Sequence, residues 1–475
     1  MSEFKITHRI AWVAETDGDL CVFDENRCGS APRTADNPPV TAMSTDPLRP
    51  PAADGQASDL RARFRAASGS DWSPSVAPFL GGGRRVDPIG LATVLSYGYA
   101  VSTRTVLESV EASAIDPARF ADTAVPSDSD IVDLAIDAAR RHLAIAPGLQ
   151  PPIALLSGGR DSRLIVLAMR ALAVKPRMIL TLDQRGPESD AAVAEQLASA
   201  LGLAATRVRA EPFSGERELE RHAQQSFQSL EHEWFLPIAA RVRGIGGGVT
   251  DGIGAGVLST GSLLDPQAIA LWRGRRYDAL SEWTANHGSR VSHEFLAAAR
   301  AEGLPLADPD AVLHEFAGVL RSLDGTPNPL GMYSLLHWTR RGIGASAYGL
   351  LPHDRVITPL YDERLCRALA AIPMERAMAQ DWREVVISRL DQTGVPYSVK
   401  ERGVLPRWLQ HPLRTARSRL AWGSFVRRLS PPLARLARIA DRSPWPRNTF
   451  DRAAVGLLAS LDRSTGFLSG GPRGA

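Results

Sequence analysis

Cysteine is scarce in this chain: 475 residues contain 3, at Cys21, Cys28 and Cys366. So few, so scattered, they exclude a disulfide framework and a zinc knuckle, and the odd count fits a reducing compartment. No apolar run is long enough to cross a bilayer, and the opening residues, Met1-Ser2-Glu3-Phe4-Lys5, lack the apolar core of a signal peptide. The expectation is a cytoplasmic protein without a transmembrane segment. A large net charge is missing too, since 55 Lys and Arg face 52 Asp and Glu. What remains is ordinary globular composition, 44% hydrophobic and 23% charged, over a length that suits two or three domains with substantial cores.

The charge balance is uneven along the chain. Beyond Glu401 come many arginines and few acids, among them Arg407, Arg414, Arg417, Arg419, Arg427, Arg428, Arg435 and Arg438. Two readings follow: an amphipathic helical extension with a solvated charged face, or a surface for an acidic partner such as a membrane, a nucleic acid or a carrier. Trp408, Trp422, Phe425 and Trp445 would pack or stack in either case.

The densest chemical signal is Ser157-Gly158-Gly159-Arg160-Asp161-Ser162. Pro151 and Pro152 punctuate its start, Ile153 to Leu156 reads as a buried strand, and Leu164, Leu167, Ala168, Ala171 and Leu172 recur at helical spacing. The glycines therefore fall at a strand-to-helix turn. Without Cβ atoms there, backbone amides can approach phosphate oxygens, the two serines add hydroxyl donors, and the helix dipole favours an anion. Asp161 is then a natural Mg2+ ligand, because that ion takes one or two carboxylates together with phosphate oxygens. The plainer alternative is a glycine turn followed by a capped helix. A Walker A loop is excluded, since no glycine precedes Lys and Ser or Thr at the required spacing.

Around this loop the pattern alternates. A helix over Ile131 to Leu143 precedes the Ile153 strand; Met178 to Leu182 form the next strand; a helix opened by Glu188-Ser189-Asp190 ends at Leu201-Gly202; Thr206 to Arg209 form a third strand. This order predicts an α/β fold with a doubly wound parallel sheet, whose nucleotides bind at the carboxyl ends of strands. Thr181, Leu182 and Asp183 would then sit beside an adenosine. The first 130 residues read differently, with strand-like runs at Arg9 to Ala14 and Leu20 to Phe23, a Pro-, Ala- and Asp-rich loop from Ala35 to Gly55, a helix from Asp87 to Tyr99 closed by glycine, and a strand from Thr103 to Val110.

The Ser157 to Ser162 loop resembles the pyrophosphate loop of the ATP pyrophosphatase superfamily, and the surrounding order is similar to the asparagine synthetase family over most of residues 85 to 405. The resemblance implies an ATP pyrophosphatase fold with a helical lobe, divided as a degenerate α+β glutaminase-like domain over 1–128, an ATP-binding domain over 129–405 and an Arg-rich extension over 406–475. It further implies that Gly246 to Leu258 closes over the same nucleotide, with Gly252 and Gly254 beside ATP. The family's second magnesium carboxylate falls in register with Gly256, and its following Glu with Val257. Asp251, a few residues upstream, either supplies the missing charge or serves a turn before glycine.

By the same resemblance, Trp338 to Arg341 and Arg355 to Asp362 belong to the helical lobe, with Asp362 capping a helix, and Lys400 with Arg402 contact phosphate and the transition-state charge. Ser2 stands where the family has its glutaminase cysteine, and Glu3-Phe4-Lys5 lack the glycines that shape that site, so no glutaminase activity is expected. Arg160 replaces an apolar residue of the family, and Arg163 adds further positive charge. The histidines, including His222, His232, His293, His337 and His353, have neither metal spacing nor a nucleophile partner.

The implied chemistry is ligation. A carboxylate attacks the α-phosphorus of ATP, pyrophosphate leaves into the Ser157 loop with Mg2+ on Asp161, and ammonia or another amine captures the acyl-AMP. Aspartate is the conventional acid; a peptide or natural-product carboxylate is the specialised alternative. Two rivals stand beside it: an RNA-modifying ATP pyrophosphatase served by the Arg-rich tail, and a noncatalytic nucleotide-binding homologue.

Overall fold

The computed structural model describes residues 12–16, 19–24, 27–28 and 60–468, apart from 81–84, 121–123, 145–149, 184–189, 210–211, 232–234, 246, 289–290, 352–355, 398–411 and 444–446. The chain divides into two compact units, Met1–Asp46 and Pro47–Ala475. In the first, β1 (Trp12–Thr16), β2 (Asp19–Asp24) and β3 (Arg27–Cys28) form an antiparallel sheet with Trp12 opposite Phe23 and Phe23 opposite Cys28. The expected loop from Ala35 to Gly55 lies outside the described residues.

In the second unit, β4 (Phe64–Ala66) precedes α1 (Pro88–Tyr97), which Asp87 caps by accepting from the Gly90 amide and Gly98 ends in the left-handed region at φ 83°. Glycine meets that geometry without a Cβ clash. The strand expected from Thr103 is shorter than the sequence pattern suggests: β5 is confined to Val110–Ala112, pairing antiparallel with β4. Local polar chemistry explains the difference. The Thr105 hydroxyl accepts from the Leu107 amide at 3.1 Å and lies 2.9 Å from the Val110 carbonyl, and Ser102 and Ser109 both have positive φ, so the chain turns where β-branching suggested extension.

The α/β region then unfolds in order: α2 (Asp128–Leu143), β6 (Ile153–Leu155), α3 (Arg160–Ala171), β7 (Met178–Asp183), α4 (Asp190–Ala200), β8 (Ala205–Arg209), α5 (Gly215–Gln224), α6 (Phe235–Arg243), β9 (Val249–Thr250) and β10 (Val356–Ile357). A capping box between Ser127 and Asp130 starts α2. The five strands β6 to β10 form a parallel sheet in the order β10-β9-β6-β7-β8. Successive residues point to opposite faces. Ala154 and Ile179 enter one core with Leu164, Leu167 and Leu197 from α3 and α4, whereas Ile153, Leu155, Leu180 and Val249 enter another with Ile238 and Val242 from α6. Burial on both faces is what the near-continuous apolar strands require.

A third core gathers Phe64, Leu91, Leu95 and Val110 with Leu433, Leu436, Leu458 and Leu461. Residues from 64 to 112 and from 422 to 461 thus bury apolar side chains in one core. The C-terminal part is helical, with helices at Pro412–Val426, Pro431–Arg442 and Arg447–Thr465. Several of its arginines pair with acids elsewhere: Arg428 and Arg463 with Glu216, and Arg435 with Glu302. No helix among the described residues is long and apolar enough to cross a membrane.

Candidate functional site

The sheet reverses its winding at β6. From β6 the chain proceeds to β7 and β8 on one side, then returns to β9 and β10 on the other. A crevice opens outside the carboxyl ends of the two strands that flank such a reversal, and ligands of open α/β sheets bind there. The two loops that leave β6 and β9 at this point are Ser157-Gly158-Gly159 and the run from Asp251 to Gly256.

The first loop is shaped by its own hydroxyls. Ser162 Oγ accepts from the Ser157 amide at 2.9 Å and lies 2.9 Å from Ser157 Oγ, which accepts from the Gly159 amide at 3.2 Å. Gly159 sits at the N-cap of α3 and has no side chain to offer its amides. The first turn of a helix leaves its N–H groups without intrahelical partners, so this end of α3 faces the crevice as an uncapped set of donors.

The second loop closes against the first at glycine distance. A Cβ on Gly252 would fall 2.8 Å from Asp161 Cβ and 3.0 Å from the Ser162 amide nitrogen. One on Gly256 would fall 2.4 Å from Asp161 Oδ1 and 2.8 Å from an Arg383 terminal nitrogen. Gly254 is required for a different reason. Its backbone, at φ 148°, lies against the Leu360 carbonyl and the Tyr361 amide, where any side chain would collide. Trp382, fully buried, ties this loop to the helix Trp382–Leu390 by donating Nε1–H to the Ala255 carbonyl at 3.0 Å.

Arg383, next to that tryptophan, is the hub of the site. One terminal nitrogen donates to both oxygens of Asp161 at 2.8 Å, the other to Thr260 Oγ1 at 2.9 Å and Asp381 Oδ2 at 2.7 Å, and Nε to Asp381 Oδ1 at 2.9 Å. Its side chain is 8% exposed while that of Asp161 is 39% exposed, so the carboxylate fronts the crevice and the guanidinium backs it. Burial works against the Arg383 charge, but Asp161 and Asp381 outweigh it and hold its pKa above the ordinary value. Asp381 also accepts from Ser259 Oγ at 3.0 Å. Neither Arg383 nor Asp381 stood out in the sequence; the one local signal was an Asp ahead of a helix.

Asp251 is buried, and its Oδ1 accepts from the Ile253 amide at 2.8 Å. Burial above all, with the negative charge of Asp161, pushes its pKa up to about 6, against the Ile253 hydrogen bond. These groups do not make a resident Mg2+ site. Both Asp161 oxygens are engaged by Arg383, Asp251 is buried with one oxygen held by the Ile253 amide, and among the described residues no group of three or more His, Cys, Asp or Glu could hold a metal ion.

The loop arginines are anchored too. Arg160 pairs with Glu384, and its guanidinium lies 4.7 Å from the Tyr397 ring centroid. Arg163, buried, sits 4.4 Å from the same ring and donates to the carbonyls of Val395 at 2.6 Å and Pro396 at 2.8 Å. The segment that leads toward Lys400 and Arg402 is thereby pinned to α3, while Lys400 and Arg402 lie outside the described residues. Thr181 is buried in β7 with its hydroxyl unpartnered, and Leu182 and Asp183 are half-buried at the strand's carboxyl end. Asp362 caps the helix Glu363–Ala370 through the Leu365 amide. A groove of about 460 Å³ adjoins the site, lined by Asp128, Asp381, Glu384, Ser388 and Arg389 among others.

No protein-family model matches this chain, and no curated protein does.

Proposed function

We propose that the protein is an ATP-dependent carbon–nitrogen ligase of asparagine synthetase type, which activates a carboxylate as its acyl adenylate and passes it to ammonia or another amine. One observation carries this reading: the Ser157 to Ser162 loop and the uncapped start of α3 lie at the point where the sheet reverses, sealed by glycines of a second loop. A loop of this shape in this position suits the β- and γ-phosphates.

In the reaction, a carboxylate oxygen of the acid bonds to the α-phosphorus while the bond to the bridging oxygen of the β-phosphate breaks. Amine nitrogen then attacks the acyl carbon, AMP departs and the nitrogen loses a proton. This chain's contribution is electrostatic preorganisation. The α3 amides receive the departing pyrophosphate, Arg160 lies at the loop's edge, and the glycines exclude side chains from the crevice. No step is assigned to a protein-held metal, because Asp161 is already paired. The groove beside Asp381 and Glu384 supplies space for the amine, those two acids already balanced by Arg383 and Arg160. A noncatalytic nucleotide-binding protein is the second reading, favoured by that same Asp161–Arg383 pair.

Pyrophosphate and AMP formation across a panel of acids and amines tests the proposal. Release of both with an acid–amine pair, lost in Asp161→Ala, is the expected result. ATP binding without turnover on any acid transfers the site to the second reading, and failure to bind ATP removes both.

A further inference from the structure

The register that sets Gly256 where the resembling family keeps a carboxylate acquires a physical meaning from its surroundings. A side chain at 256 would point between Asp161 and Arg383, 2.4 Å from the carboxylate oxygen and 2.8 Å from the guanidinium nitrogen. The volume is already filled by a cation. Each of the three guanidinium nitrogens of Arg383 donates, to Asp161, Asp381 and Thr260, and the side chain is buried at 8% exposure.

We propose that Arg383 is the resident cation of this site, standing where a divalent ion would otherwise bridge the Asp161 and Asp381 carboxylates. Its single charge balances one of the two, and its planar fork holds the two carboxylates apart by hydrogen bonds to each. It follows that the nucleotide-free protein has no affinity for a divalent ion at Asp161, and that any Mg2+ used in turnover enters on the phosphates of ATP. Gly256 and Arg383 are then one device, because a larger residue at 256 would displace the guanidinium. The inference takes the crevice to be a nucleotide site only for the entry of Mg2+ on ATP.

The test contains no nucleotide, so it fails separately from the ligase reading. Mn2+ binding is measured by electron paramagnetic resonance on the purified full chain. Wild type and Asp161→Asn are expected to bind Mn2+ equally weakly. Arg383→Gln, which leaves Asp161 and Asp381 without a counter-cation, is expected to gain a Mn2+ site at least about tenfold tighter, and Asp161→Asn in that background to lose it. Asp161-dependent Mn2+ binding by wild type would overturn the proposal. So would a folded Arg383→Gln protein that gains no site. If Arg383→Gln does not fold, as judged by circular dichroism, the comparison of wild type with Asp161→Asn decides alone.

Discussion

Asp251 carries its charge against the protein around it. Burial, followed by the neighbouring Asp161, raises its pKa from 3.8 to about 6, so the folded chain binds that proton more tightly than the unfolded chain does. The stabilisation this gives is fully present below pH 3.8 and is lost as pH rises through about 6. Asp251→Asn keeps the acceptor for the Ile253 amide and removes the titration. Its stability relative to wild type should rise between about pH 4 and about pH 6 by up to about 3 kcal/mol, read from urea unfolding at a series of pH values; a constant difference would place the ionisation elsewhere. At this scale the Ser157 loop was legible because its residues are contiguous and each contributes by type. Arg383 was not, because it meets Asp161 across 222 positions and an arginine near a helix start is commonplace.

Among the elements, the helix Glu363–Ala370 has a start that the sequence announced. Asp362 accepts from the Leu365 amide at 3.1 Å, and it is also held by Arg141 at 2.8 Å and by His142. Burial would raise its pKa, but the hydrogen bonds from His142 and Arg141 win and hold it well below the ordinary carboxylate range. This stabilisation is present above pH 3.8 and lost as pH falls below it. Asp362→Ala should therefore cost about 2 kcal/mol near neutral pH, and the gap to wild type should close in acid, as followed by thermal melts. The strands β6 and β7 were legible for a similar reason, being short apolar runs bounded by turn residues, and β8 by its β-branched Thr206 and Val208 after the turn at Gly202. β5 was misjudged because Thr105 bonds to its own neighbourhood, an interaction that hydrophobic pattern does not register.

For the molecule as a whole, pattern identifies amphipathic faces without saying what covers them. The C-terminal helices were readable as amphipathic, yet their partners, Phe64, Leu91 and Val110, lie more than 300 residues earlier. Leu458 is fully buried in that shared core. Leu458→Ala should lower the unfolding free energy by about 2–5 kcal/mol, and a single unfolding transition should persist, since the same core spans both ends of the second unit. Two separate transitions would show that the terminal helices fold on their own. Three arginines of the extension pair with Glu216 and Glu302 while staying exposed, so the outward face carries less net positive charge than the sequence implied.

Two arginines in the π-helical stretch Ser334–Ile343 bear on how such a chain can change over time. Arg340 donates to the carbonyls of Leu60, Arg61 and Ser113, and Arg341 to those of Ser102 and Arg104. Both are buried, so deleting residues 60–113 would take five carbonyl acceptors from them, while Arg341 would keep Gln228 Oε1. Because those acceptors are main-chain carbonyls, a variant of this chain could change its side chains over 60–113 far more readily than it could dispense with the polypeptide.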